Sequence, residues 1–126
     1  MKTIFLLQFA AFTLFCSCNS LLKDEVKEFI PGVYIRFSQH EFGTEYDTLV
    51  ITLQNNSANE YKILRKWKYE RLVDGQRIQP EYKRSLTSGV YNTTHKLLQE
   101  NQTGDIYSFD VKQKILLNGP IKYQKL

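Results

Sequence analysis

The sequence predicts an all-β domain: an antiparallel up-and-down meander of about eight strands, closing into a small barrel or half-barrel. Three observations lead there. From Gly32 onward apolar and polar residues alternate with a period near two, the repeat of strands that bury one face. Asn, Asp and Gly cluster between those runs, where hairpins need them. Eight tyrosines and one tryptophan, against three prolines and six glycines, describe an ordered chain rather than a low-complexity one.

Ahead of the meander, Lys2 precedes an apolar stretch over residues 4–15, interrupted by Gln8 and Thr13. It suits the h-region of a secretory signal and is shorter than the roughly 20 apolar residues of a spanning helix. The stretch closes on Leu14-Phe15-Cys16-Ser17-Cys18, which resembles a bacterial lipobox. Ser17 supplies the small side chain that cleavage needs, and Cys18 would then carry a diacylglyceryl group on its thiol. The expected organisation is a lipoprotein signal peptide over residues 1–17, a lipidated tether over 18–30 and one barrel-like domain over 31–126. Removing the first 17 of 126 residues leaves 109, with Cys18 the only cysteine. No disulfide then supports the fold, and a single core must hold it. More than one acyl chain gives stable anchoring, so the expected location is the cell envelope, at the outer membrane.

In the tether, Leu22, Val26 and Phe29 fall on one helical stripe, Ser20 stands where an N-cap would, and Pro31-Gly32 ends the helix. Asn19 is not the aspartate of the enterobacterial inner-membrane retention signal. Lys23-Asp24-Glu25 resembles the surface-export signal of Bacteroidetes lipoproteins, and reads equally as a charged helical turn.

Residues 33–38 form the first strand and 47–53 the second, with a polar loop over 38–47 between them. Asn55 to Asn59 is a turn cluster. The longest strand spans 61–73, with Tyr61, Ile63, Arg65, Trp67, Tyr69 and Arg71 on one face and Lys62, Leu64, Lys66, Lys68, Glu70 and Leu72 on the other. Asp74-Gly75 is a type I′ hairpin signal, and Pro80 marks an edge or bulge in the returning strand over 77–86. Ser88-Gly89 reads as a turn. An internal repeat follows: Tyr91-Asn92 with Lys96-Leu97-Leu98 is echoed by Phe109-Asp110 with Lys114-Ile115-Leu116. In each unit the aromatic closes a strand, the Asx side chain starts the turn, and the aliphatics resume the next strand. Asn118-Gly119-Pro120 turns into a last strand.

Pro31-Gly32-Val33-Tyr34, opening the first strand, resembles the start of lipocalin-like barrels, and the Tyr-Asn and Phe-Asp hairpins resemble those of small lipocalin-like lipoproteins of Bacteroidetes. The likeness covers about Gly32 to Tyr123. It implies a calyx that is narrow or filled by side chains. It brings no catalytic residue.

Without Lys2 the 17 basic residues become 16, against 13 acidic ones, interspersed with no run of like charge. That pattern and export both exclude a nucleic-acid partner. No thiol remains for nucleophilic chemistry, and neither a Gly-x-Ser-x-Gly elbow nor a glycine-rich phosphate loop occurs. His40 with Glu41, Glu45 or Asp47 could form an acid/base pair or part of a metal site, but lacks a second histidine nearby. His95 sits in a solvated turn. Asp47-Thr48-Leu49 resembles the O-glycosylation pattern of exported Bacteroidetes proteins. The strongest candidate binding residues are Arg65, Trp67, Tyr69 and Arg71, aromatics flanked by guanidinium groups on one strand face. If Arg65 points inward, it needs Glu70, Glu81 or a ligand anion as partner. The expected function is a lipid-anchored, non-catalytic binding or structural domain. It uses no cofactor and no metal, and its partners are the membrane, through its acyl chains, and an envelope protein or small ligand. The alternative is a small hydrolase or metal-dependent enzyme built on His40.

Overall fold

The computed structural model describes residues 23–126. The lipobox with Cys18, the expected N-cap Ser20 and Leu22 lie outside the described residues. A short helix α1 (Glu25–Phe29) leads into β1 (Gly32–His40), β2 (Gly43–Asn55), β3 (Glu60–Val73), β4 (Gln76–Arg77), β5 (Glu81–Asn92), β6 (Leu97–Glu100), β7 (Ile106–Asp110), β8 (Ile115–Asn118) and β9 (Ile121–Lys125). Neighbours in the sheet are neighbours in sequence, all antiparallel, and β1 meets β9 with Tyr34 opposite Lys125. The meander therefore closes into a lipocalin-like barrel of eight strands, with two-residue β4 only prolonging the hairpin at the tip of β3. Closure removes the sheet edges that would otherwise template aggregation.

An eight-stranded barrel is just wide enough for side chains to fill. Here tyrosines fill it. Tyr34, Tyr61, Tyr91, Tyr107 and Tyr123 are buried with Leu49, Ile51, Ile63, Leu98 and Leu116. A buried phenol needs an acceptor for its hydroxyl. Tyr34 donates to the carbonyls of Ile30 at 2.8 Å and Phe29 at 3.0 Å, Tyr91 to Asp24 at 2.9 Å, and Tyr123 to Asp47 at 2.8 Å. Burial pushes the hydroxyls of all five well above the ordinary tyrosine range.

The end of the barrel nearest α1 is plugged. Ile30 is fully buried, Val26 and Phe29 pack on the core, and Phe29 meets Tyr34 and Phe109 edge-on at 6.0 and 6.1 Å. The N-cap is Asp24, not Ser20: its carboxylate accepts the Lys27 N–H at 3.1 Å. The same carboxylate takes the Lys96 ammonium at 2.9 Å, so the Lys23-Asp24-Glu25 turn clasps the helix to the barrel.

Three local expectations are corrected. Residues 38–47 are not a loop but the tip of a long hairpin, with His40 opposite Gly43 and only Glu41-Phe42 between the strands. The polar run misled because Ser38, Glu45 and Asp47 face inward, across the barrel, rather than into solvent. Ser88-Gly89 is not a turn but the middle of β5. A Cβ on Gly89 would lie 2.8 Å from the carbonyl oxygen of Gln99, so glycine lets β6 approach. The strand after Asp74-Gly75 also runs on to Asn92 rather than stopping near Leu86.

Other turn readings hold. Asp74 (φ 53°) and Gly75 (φ 78°) both take the left-handed conformation of a type I′ turn. Asn55 Oδ1 accepts the N–H of Ser57 at 3.1 Å. The repeat is one turn used twice: Asn92 Oδ1 accepts from Thr94 at 2.9 Å, Asp110 Oδ1 accepts from Gln113 at 3.1 Å, and Lys96 and Lys114 sit at φ 59° and 57°. Outward positions of β3 carry Lys62, Lys66 and Lys68, charges that a lipid-facing strand would not tolerate. No helix among the described residues is long and apolar enough to cross a membrane.

Candidate functional site

Strands β1, β2, β3 and β5 run 9 to 14 residues, whereas β6 to β9 run 4 or 5. Away from the plug, the long strands therefore stand as a curved wall above a low rim. Register fixes what faces inward along it. One row is Arg36, Asp47, Trp67 and Lys83; the next towards the tip is Ser38, Glu45, Tyr69 and Glu81.

The floor of this mouth is an ion pair. Asp47 is 1% exposed, and three donors reach its two carboxylate oxygens. Arg65 Nε lies 3.0 Å from Oδ1, Arg65 Nη2 2.6 Å from Oδ2, and the Tyr123 hydroxyl 2.8 Å from Oδ2. This two-pronged geometry suits a guanidinium and a carboxylate. The bond to Asp47 raises the pKa of Arg65 further still. The partner expected for Arg65, whether Glu70, Glu81 or a ligand anion, is thus corrected to Asp47. Glu70 pairs with Lys68 on the outer face at 3.0 Å, and Glu81 with Arg71 at 3.3 Å.

Above the floor stand stacked rings. Trp67 and Tyr69 lie 5.6 Å apart and 11° from parallel, and His40 stacks on Tyr69 at 5.9 Å. Trp67 is fixed edge-on, its indole N–H donating to Glu45 Oε1 at 2.6 Å. Arg36 lies 3.9 Å from the same carboxylate. Lys83 Nζ sits 5.1 Å from the Trp67 ring centre and Arg71 6.0 Å from that of Tyr69. Trp67 and Tyr69 are half-buried and outside the core cluster. A cavity of about 510 Å³ lies against Arg65, Trp67, Lys83, Arg84 and Ser85.

All four candidate binding residues thus lie on one inner wall, with Arg65 committed to the floor and Arg71 to Glu81. His40 is brought to the rim, where two of its three expected carboxylate partners are engaged elsewhere, Asp47 by Arg65 and Tyr123 and Glu45 by Trp67, while Glu41 lies exposed in the turn beside it. No group of three or more metal-ligating side chains converges among the described residues. Thr48, in the glycan-like triplet, is a half-buried strand residue on the outside.

Lys83 and Tyr123 were missed by sequence reasoning. Counting back from the Asp74-Gly75 turn, where Leu72 faces Arg77, would put Tyr82 opposite Trp67. The irregularity at Ile78-Gln79-Pro80 inserts one residue, so Lys83 faces Trp67 and Tyr82 turns outward. Pro80 was the signal.

A second depression of about 560 Å³ borders the same wall, lined by Tyr46, Thr48, Lys66, Lys68 and Tyr82 of the outward rows and sharing Trp67, Lys83 and Arg84 with the first cavity. Lys68 Nζ sits between the rings of Tyr46 (5.4 Å) and Tyr82 (5.9 Å), and Phe37 packs on Tyr46 at 5.1 Å. Phe37 and Tyr82 are 58% and 69% exposed. No family model, curated protein or solved structure matches this chain.

Proposed function

We propose that this chain is a lipid-anchored, non-catalytic binding protein of the bacterial envelope, holding a small ligand in the barrel mouth. The observation that carries the reading is Trp67, half-buried on an inner wall, stacked on Tyr69 and lining a cavity of about 510 Å³. An aromatic ring lining a concave site, with a few fixed polar groups beneath it, is what small-ligand sites offer. The Arg65–Asp47–Tyr123 floor keeps that wall rigid without a ligand. The lipobox-like leader motivates the anchor, which would hold the mouth at the membrane.

Native mass spectrometry of the protein released from envelopes tests the site: a small molecule should co-purify, and Trp67→Ala should abolish its retention. Retention unchanged in that variant refutes a mouth site. For the anchor, the mature N-terminus should carry the mass of a diacylglyceryl group, and Cys18→Ala should take up no labelled palmitate. An unmodified Cys18 refutes the anchor.

A second reading has its own observation. The outward row Phe37, Tyr46, Lys68 and Tyr82 is aromatic, exposed and interleaved with positive charge, which suits docking onto an envelope protein in a structural role. Crosslinking from position 82 in intact cells tests it: capture of a single partner, lost on Phe37→Ser, favours this reading. A hydrolase built on His40 draws less support, because the ring stacks on Tyr69 and both Asp47 and Glu45 serve other donors.

A further inference from the structure

We propose that the mouth selects flat, anionic ligands and that Lys83 is the residue that reads the charge. This rests on the mouth being the binding site. Most charges on the inner wall have partners. Asp47 is taken by Arg65 and Tyr123, Glu45 by the Trp67 N–H with Arg36 beyond it, and Glu81 by Arg71. Lys83 makes no ion pair among the described residues. It faces Trp67 directly across the β3–β5 ladder and rests over the indole at 5.1 Å. An ammonium over a ring with no counter-ion is held only by the weak attraction of the π face. A carboxylate, sulfonate or phosphate is a better partner for it.

Both halves of the ligand follow. A planar group lies on the Trp67 face that Lys83 now covers, continuing the stack of Tyr69 and His40, and the anion at its edge draws the ammonium aside onto itself. A neutral planar ligand must displace Lys83 from the ring and gains nothing in return; a cation meets Lys83, Arg65 and Arg36 together. The one-residue insertion at Pro80 acquires a role here, since without it Tyr82 rather than Lys83 would face Trp67.

Trp67 is the only tryptophan in the chain, so its emission reports on the site directly. The test uses the acylated full-length protein in detergent with two water-soluble probes, 4-nitrobenzoate and 4-nitrobenzamide. They share a flat ring that quenches an indole on contact and differ in charge. The benzoate should bind about tenfold more tightly than the amide, as one well-placed charge pair allows. Lys83→Gln should bring the ratio near one, chiefly by weakening benzoate binding, and Lys62→Gln, on the outer face, should leave the ratio as it was. Equal binding of both probes, or a preference that survives in Lys83→Gln, overturns the proposal and leaves the mouth as a binding site. Failure of both probes to quench Trp67 overturns the proposal and counts against the mouth as well.

Discussion

The ion pair under the mouth is lopsided, and that makes its energetics testable. The Asp47 side chain is 1% exposed, whereas that of Arg65 is 46% exposed. Removing one partner of a buried pair costs about 3–5 kcal/mol, because the other charge is stranded away from water. Arg65→Met keeps the aliphatic stem but strands Asp47. Since water can follow through the space the half-exposed guanidinium leaves, the lower end applies, about 3 kcal/mol. Asp47→Asn leaves a guanidinium that already reaches water and an amide still able to accept from Tyr123, so about 1.5 kcal/mol is expected. The double variant has no stranded charge and should cost about 2 kcal/mol, well short of the sum of the two. Urea unfolding followed by circular dichroism, with the slope held common, gives all three values. For a domain of this size Arg65→Met corresponds to a fall in Tm of about 12–24 °C. Additive effects, or an Asp47→Asn variant as destabilised as Arg65→Met, would refute the account of a dry carboxylate held by a wet cation.

Three more outcomes are expected. Burial raises the hydroxyl pKa of Tyr34, Tyr61, Tyr91, Tyr107 and Tyr123, so their stabilisation is whole below about pH 10 and is lost as the pH climbs further. Absorbance at 295 nm should show these five ionising only in one step with loss of the sheet signal, and gradual ionisation of an intact barrel would contradict this. Burial alone would raise the Asp24 carboxyl, but hydrogen bonds from Lys96, the Lys27 N–H and Tyr91 outweigh it and hold the group below its ordinary range. Its contribution is therefore complete above about pH 4 and fades as the pH falls below that; Asp24→Ala should cost about 1–2 kcal/mol and speed amide exchange in α1 while the strands keep their protection. Gly43→Ala puts a methyl group into the carbonyl oxygen of Glu70 and within 3.0 Å of the Tyr69 hydroxyl. The β1–β2 tip should part from β3 at about 1–3 kcal/mol, with altered Trp67 emission and an unchanged plug end; a silent substitution would show that the tip does not pack as described.

Much of the barrel is legible in the sequence because strand chemistry is local. Alternation marks the long strand through Trp67 and sorts its two faces correctly, since successive side chains point to opposite sides whatever the partner. Turns are legible for the same reason: Asp74-Gly75 supplies two left-handed residues, and Asn92 and Asp110 bond their own backbone. The eighteen-residue echo between those Asx residues is a repeated turn, and nothing beyond the chain segment is needed to build it.

What local chemistry leaves open is which face turns inward and who meets whom. Residues 38–47 are polar on both rows, so alternation does not mark them; Ser38, Glu45 and Asp47 face inward, and burial is a property of the closed barrel rather than of the segment. Arg65 finds Asp47 eighteen residues away and shares it with Tyr123 seventy-six residues beyond. The first contact needs only the β2–β3 ladder, but the second exists only because β9 closes onto β1. Lys83 instead of Tyr82 faces Trp67 because one inserted residue at Pro80 reverses the parity of everything after it. Residue type and period thus determined the strands and turns on their own. Closure and register decided the site, because a barrel's interior is defined by strands far apart in the chain and a shift of one residue exchanges inside for outside.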